Sequence, residues 1–284
     1  MPLKDMLATL LLTAALTATV SAQTYEEYVA KGIEMAGHDS LPQAEAQFRQ
    51  ALQLRPNDYR NALLYTDLGR VQEAIYWQDT HNTTKADEAM ESYSLALASA
   101  PEAVPMLMAR GTFLLKLGMH QKAIVDFTRI VTVNEQHAQA LSLRAYCHAQ
   151  LREYGDARAD YNRALAIEPD NYEAALGLAI LEQQTGHLNK GIERMTQLIE
   201  TEPQQAELYS VRAGMYAENK QLELALLDLD EAVGAAPQNV NYLLARAYLH
   251  QQQGDKRRAL RDFEQAIDLG IPRASLAEEL KACR

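Results

Sequence analysis

The side chains of this 284-residue chain whose types could do chemistry are seven histidines, two cysteines and four evenly spaced arginine–aspartate pairs. His38, His81, His120, His137, His148, His187 and His250 stand mostly in separate stretches and lack the pair spacing a metal requires, so no metal site is expected. Cys147 reads as a small buried hydrophobe. Cys283, next to the end, reads as an exposed thiol able to link two chains by a disulfide in an oxidising compartment. The sequence contains no G-x-S-x-G, G-x-x-x-x-G-K-[ST], H-E-x-x-H or C-x-x-C. No catalytic residue and no cofactor follow from it, and the expectation is a non-enzyme.

The pairs Arg110/Asp126, Arg144/Asp160, Arg212/Asp228 and Arg246/Asp262 each have a spacing of 16 residues. A planar guanidinium offers paired donors to a carboxylate, so these read first as internal ion pairs. As a ladder for acidic ligands they would face competition from their own aspartates. The series is interrupted once, where Leu178 and Arg194 take the two places.

The elements that position these pairs repeat as well. Ala89/Tyr93, Ala123/Phe127, Ala157/Tyr161, Ala225/Leu229 and Ala259/Phe263 keep a register of 34 residues, as do Pro101, Pro169, Pro203 and Pro237, with Glu135 in the vacant slot. From Ala138 to Asn171, Leu141, Ala145 and His148 set a helical stripe and Arg152–Asp156 a polar turn. Ala157, Tyr161, Ala164 and Leu165 then start a second stripe that Pro169 ends. Each unit is predicted to be a helical hairpin, and an apolar content of 48% suffices for a continuous core.

A small residue early in the first helix, Ala-x-x-x-aromatic in the second and a closing Pro resemble the tetratricopeptide repeat family. That resemblance implies an all-α fold, a right-handed α-solenoid superhelix of stacked helix-turn-helix hairpins. The expected repeats are 25–58, 59–103, 104–137, 138–171, 172–205, 206–239 and 240–273, with a capping helix at 274–284. The usual Trp is missing from every first helix, and Gly191, Met195 and Leu198 replace the small-aromatic-small trio of the fifth repeat. The local stability minimum is therefore placed near residues 186–198.

The spacing from Pro56 to Pro101 exceeds the period by 11 residues. The surplus surrounds Trp77–Thr84, with helical flanks at Val71–Tyr76 and Lys85–Tyr93, and predicts a longer hairpin projecting as a knuckle. Trp77 and His81 are its candidate partner contacts, the alternative being that the aromatics only pack the hairpin. Asn82-Thr83-Thr84 also fits a glycosylation acceptor.

The resemblance further implies that peptides lie on an inner, concave face lined by the first helices. Its candidate contacts here are Thr112, Lys116, Tyr146, Gln150, Gln183, Gln184, Glu218, Tyr248 and Gln252. The family's carboxylate-clamp members place Asn at sites filled here by Thr112, Tyr146, Ile180, Gly214 and Tyr248, so that clamp is not expected. Tyrosines and glutamines suit an extended peptide.

Twenty-seven basic against 38 acidic residues give a net charge of −11, which argues against nucleic acid as partner. Lys4, the apolar run Met6–Val20 and the small-x-small end Val20-Ser21-Ala22 read as a signal peptide over residues 1–22, the weaker alternative being an uncleaved membrane anchor, for which the run is short. The expected protein is exported, periplasmic or else extracellular. It binds a protein or peptide as a scaffold, or alternatively acts as a holdase or assembly factor for exported chains.

Overall fold

The computed structural model describes residues 24–283, so the signal-peptide reading lies outside the described residues. These hold fifteen α-helices, one 3-10 turn and no strand. They form two compact units that part between Cys147 and His148.

The first unit contains α1 (Tyr25–Gly37), α2 (Leu41–Leu54), α3 (Asn61–Gln78), α4 (Thr83–Ser99), α5 (Val104–Lys116), α6 (His120–Val133) and most of α7 (Ala138–Gln150). The second continues with α8 (Tyr154–Ile167), α9 (Tyr172–Gln184), α10 (Leu188–Thr201), α11 (Ala206–Glu218), α12 (Leu222–Ala235), α13 (Val240–Gln252) and α14 (Lys256–Asp268). It ends in a 3-10 turn (Arg273–Leu276) and α15 (Ala277–Ala282). Within each unit the helices pack chiefly on their neighbours in sequence, as a stack of hairpins does.

Local chemistry sets the helix ends. Thr24 and Glu27 form a reciprocal capping box at α1, Asn171 accepts from Ala174 N at 2.9 Å, and Asp255 accepts from Arg258 N at 3.0 Å. The turn inside the hairpins recurs in left-handed conformation at 34-residue spacing: Gly118, Arg152, Gly186, Lys220 and Gly254, with φ between 61° and 82°. Asp39 does the same in the first hairpin, at φ 59°.

The repeated packing unit is an aromatic ring seated in a notch. Phe127 of α6 lies so close to Gly111 of α5 that an added Cβ would sit 2.8 Å from the ring, and Phe48 and Tyr93 fill like positions against Gly32 and Gly69. Ala44/Phe48 is a further copy of the Ala-x-x-x-aromatic pair that the spacing argument passed over, because the long second hairpin shifts its register. In α10, Met195 stands where the ring would be, and a Cβ on Gly191 would lie 3.0 Å from the Ala179 carbonyl oxygen. Gly191 is thus small because α10 runs against the α9 backbone.

The second hairpin is the long one, with helices of 18 and 17 residues where the others have 13 or 14. Lys85, at the start of α4, donates to Glu45 of α2 at 2.8 and 2.9 Å and to Glu88 at 2.7 Å, tying the extension to the preceding hairpin. At the far end, Leu276, Leu280 and Cys283 cover Phe263, Ala247 and Ala259.

That closure corrects the reading of Cys283. Only 6% of it is exposed, and Gln251 Nε2 lies 3.9 Å from its sulfur, so the thiol is core and not an exposed handle for a disulfide between chains. Cys147 is fully buried, and burial alone pushes its thiol up to about 12.

Candidate partner-binding surfaces

Three arginine–aspartate pairs are bidentate clamps across a hairpin. Arg110 donates to Asp126 at 2.8 and 2.6 Å, Arg212 to Asp228 at 2.8 and 2.7 Å, and Arg246 to both Asp262 oxygens at 2.9 Å. The same arginines reach back to the previous hairpin, Arg110 to Ser94 at 3.5 Å, Arg212 to Thr196 at 3.0 Å and Arg246 to Asp230 at 2.8 Å. Arg144 reaches Thr128 likewise at 3.1 Å. Arg110, Arg212 and Arg246 therefore each join three helices, and the paired aspartate holds each guanidinium's pKa above the usual value. Their carboxylates are committed internally, which makes the ladder a fixture of the fold.

In the first unit the inner-face and knuckle candidates converge on a residue that neither reading singled out. Glu73 of α3 accepts from Lys116 Nζ at 2.8 Å and from Trp77 Nε1 at 3.4 Å through one oxygen, and from Tyr93 Oη at 2.8 Å through the other. Trp77 remains 42% exposed, with its ring centroid 4.9 Å from that of Tyr76, which turns its edge to Phe113. The aromatics thus pack the long hairpin and leave the indole partly exposed. His81 is exposed, its backbone N–H held by Asp79 at 3.1 Å. Thr112 is half-buried, while Tyr146 stands 42% exposed with its ring 6.2 Å from His120, a neighbour the sequence reading did not name. Glu73 was accessible to sequence reasoning through its i, i+4 relation to Trp77, but its link to Lys116 exists only in the fold.

One buried group nearby is electrostatically unusual. Asp67 of α3 is almost wholly enclosed, and burial pushes its carboxyl up to about 7 against the pull of Arg70, whose Nη1 lies 3.1 Å away.

In the second unit, Gln183 of α9 donates to Glu218 of α11 at 3.0 Å, so two candidate contacts from successive hairpins hold each other. Tyr248 sets its ring edge-on to Phe263 at 5.3 Å, reaches Glu279 at 3.5 Å and keeps 43% of its surface exposed. Gln150, Gln184 and Gln252 are exposed. His148, at the end of α7, faces Glu153 at 2.6 Å across the α7–α8 turn, and Asp156 lies close enough that the three could present ligand atoms within 4.8 Å of one another. Among the described residues no helix is long and apolar enough to cross a membrane.

Comparison with known proteins places this geometry. Tetratricopeptide repeat models match residues 108–174, 148–214 and 240–269. The crystal structure of a tetratricopeptide repeat protein from Parabacteroides merdae is 27% identical and superposes with a TM-score of 0.72, over 92% of this chain and 99% of that one. YrrB, described as a repeat protein of the same kind with an unusual peptide-binding site, shares the fold at 18% identity and a TM-score of 0.53, over 70% and 97% of the two chains.

Among curated proteins, the CTR9 homolog of Arabidopsis thaliana is 28% identical over 41% of this chain and 11% of its own length. The human protein O-mannosyl-transferase TMTC3 is 23% identical over 82% of this chain and 25% of its own length. The chain thus spans no more than a quarter of either relative. Such repeats serve in general as protein-interaction modules. The repeat matches and the stacked helix pairs together establish that this chain belongs to the tetratricopeptide repeat family.

Proposed function

We propose that this protein is a non-enzymatic scaffold of the cell envelope, which holds a partner protein or peptide on the faces formed by its first helices. The observation that carries the reading is the exposure of Tyr146 and Tyr248, at 42% and 43%, on helices whose other large side chains are mostly packed. An aromatic ring left open on a rigid helix supplies contact area at little entropic cost. The glutamines beside them can bond a peptide main chain. Thr112, Lys116, Gln150, Gln183, Gln184, Glu218 and Gln252 complete the proposed contacts, with Trp77 and His81 as a lesser set beside Lys116. The peptide-binding site ascribed to YrrB accords with this reading.

The absence of catalytic motifs supports a non-enzymatic role, and the pattern of residues 1–22 supports export, with the periplasm preferred. Crosslinking in cells, followed by mass spectrometry, on the natural protein and a Tyr146→Ala/Tyr248→Ala variant tests the proposal. One dominant partner, lost in the variant, is the expected result. A partner fully retained in the variant would overturn the first-helix faces as the binding surface, and recovery of many unfolded chains would replace the scaffold by a holdase.

A further inference from the structure

The first helices of the second unit offer acid without free base. Helix α9 contains no basic residue, α11 only Arg212, and α13 only Arg246 and His250. Both arginines are clamped, by Asp228 and Asp262, and His250 is buried. Glu218, the last residue of α11, is by contrast exposed and makes no ion pair among the described residues, not even with Lys220 two positions on. Its side chain accepts from Gln183 of α9 through one oxygen, which leaves the other oxygen open.

One turn before that carboxylate the same face has a notch. Ile180, Gly214 and Tyr248 hold one register position, 34 residues apart, in α9, α11 and α13. Where Gly32, Gly69 and Gly111 make way for a ring, Gly214 makes way for nothing: it is exposed, and an added Cβ would meet no atom within 4 Å. Its φ is not left-handed either, so neither packing nor backbone demands a residue that weakens a helix interior. What glycine supplies here is room. The row reads half-buried Ile180, an open place, then Tyr248, whose ring is held by Phe263 of α14 and Glu279 of α15.

Glu218 follows Gly214 by four residues, so the two share a helix face, and a helical side chain leans over the turn before its own. The carboxylate therefore leans toward the notch, steadied from α9 by Gln183 at 3.0 Å.

Resting on the assignment of the first-helix faces as the binding surface, we propose that the Gly214 notch is a subsite for one basic side chain, a lysine or arginine of the partner's bound segment. The aliphatic stem fills the space that Gly214 leaves in the row, and the charged end meets the open oxygen of Glu218. The aromatic ring of Tyr248 in the same row favours a cation further. A net charge of −11 draws a basic segment in from a distance, and the notch selects where its cation sits. An acidic side chain there would face Glu218 with no free base on these helices to offset it.

The test is fluorescence anisotropy in physiological salt, with a short fluorescein-labelled peptide of alternating lysine and leucine between glycine–serine ends and its glutamine-for-lysine counterpart. The natural protein should bind the first saturably and the second about tenfold or more weakly. Gly214→Leu fills the notch without changing charge; it should weaken binding of the lysine peptide about tenfold while melting no lower than the natural protein. Glu218→Gln should weaken it about as much, and decides the matter if Gly214→Leu fails to fold. Glu223→Gln removes the same charge from an exposed place on α12 and should leave binding unchanged. No saturable binding, full binding in Gly214→Leu, or equal losses in Glu218→Gln and Glu223→Gln would overturn the notch. A cellular partner lost from Tyr146→Ala/Tyr248→Ala, with peptide binding untouched by Gly214→Leu, would strike the notch and leave the first-helix faces standing.

Discussion

Lys116 and Trp77 hydrogen-bond to the same oxygen of Glu73, at 2.8 and 3.4 Å, which fastens the last turn of α5 to the long hairpin. Trp77 is the sole tryptophan, so its fluorescence reports on this junction alone. Glu73→Ala should shift the emission to the red, increase quenching by acrylamide and cost about 1 kcal/mol, since Tyr93 also loses its acceptor. Unchanged emission and quenching would mean that the carboxylate does not hold the indole.

Arg212 and Asp228 are largely enclosed, and removing one partner strands the other. Arg212→Ala should cost about 3 kcal/mol in urea unfolding, whereas Arg212→Leu/Asp228→Ala should cost less, because an uncompensated buried charge is dearer than a missing pair. The fifth rung, built on Leu178, is a natural instance of an apolar residue in the arginine's place.

Asp67 makes stability depend on pH in a sense opposite to that of most carboxylates. Its folded-state pKa of about 7 lies above the ordinary 3.8, so the fold holds the proton more tightly. The resulting contribution is present below about pH 4 and is lost as pH rises toward 7. Asp67→Asn should therefore be more stable than the natural protein at pH 8, by on the order of 1–3 kcal/mol, and no more stable at pH 3.5. Melting curves at the two pH values check the sign.

Lys220 adopts a left-handed turn that Gly118, Gly186 and Gly254 occupy without a Cβ. Lys220→Gly should raise stability by up to about 1 kcal/mol, the relief of the left-handed strain exceeding the entropy lost with glycine. Gly111→Ala should lower it by about 1–3 kcal/mol, because the new methyl group would press on the Phe127 ring. Denaturant midpoints of the two variants should move in opposite directions.

Residues 186–198 should exchange their amide hydrogens faster than the corresponding stretches of the neighbouring hairpins. There Met195 replaces a ring, Gly191 weakens the helix interior and the arginine–aspartate clamp is missing. Protection equal to that of residues 220–232 would sink the expectation.

The hairpins, their stops and the three bidentate clamps were legible in the sequence because they depend on spacing within about 34 residues, and helical period fixes which side chains share a face. The long second hairpin was legible for the same reason, as a fault in that spacing. Burial of Cys283 was not, since it depends on a short terminal helix folding back over Phe263. Nor was the Glu73 junction, whose partners come from three helices, or the raised pKa of Asp67, which follows from desolvation at a position that composition does not mark. The notch at Gly214 showed in the sequence only as a small residue among the inner-face sites; it became an opening once helices of fixed spacing set Ile180 and Tyr248 in line with it.

The reach of each clamp arginine, 16 residues forward and 16 back, gives the chain an interchangeable joint. A hairpin excised or duplicated in register would present an arginine donor to a hydroxyl or carboxylate acceptor at each new junction, so the stack can change length by whole units without leaving the arginine stranded. The fifth rung is the exception. A junction made there would set Leu178 or Arg194 against a standard partner, so lengthening and shortening are least disruptive elsewhere in the array, and the segment from Asn162 to Arg194 travels best as one piece.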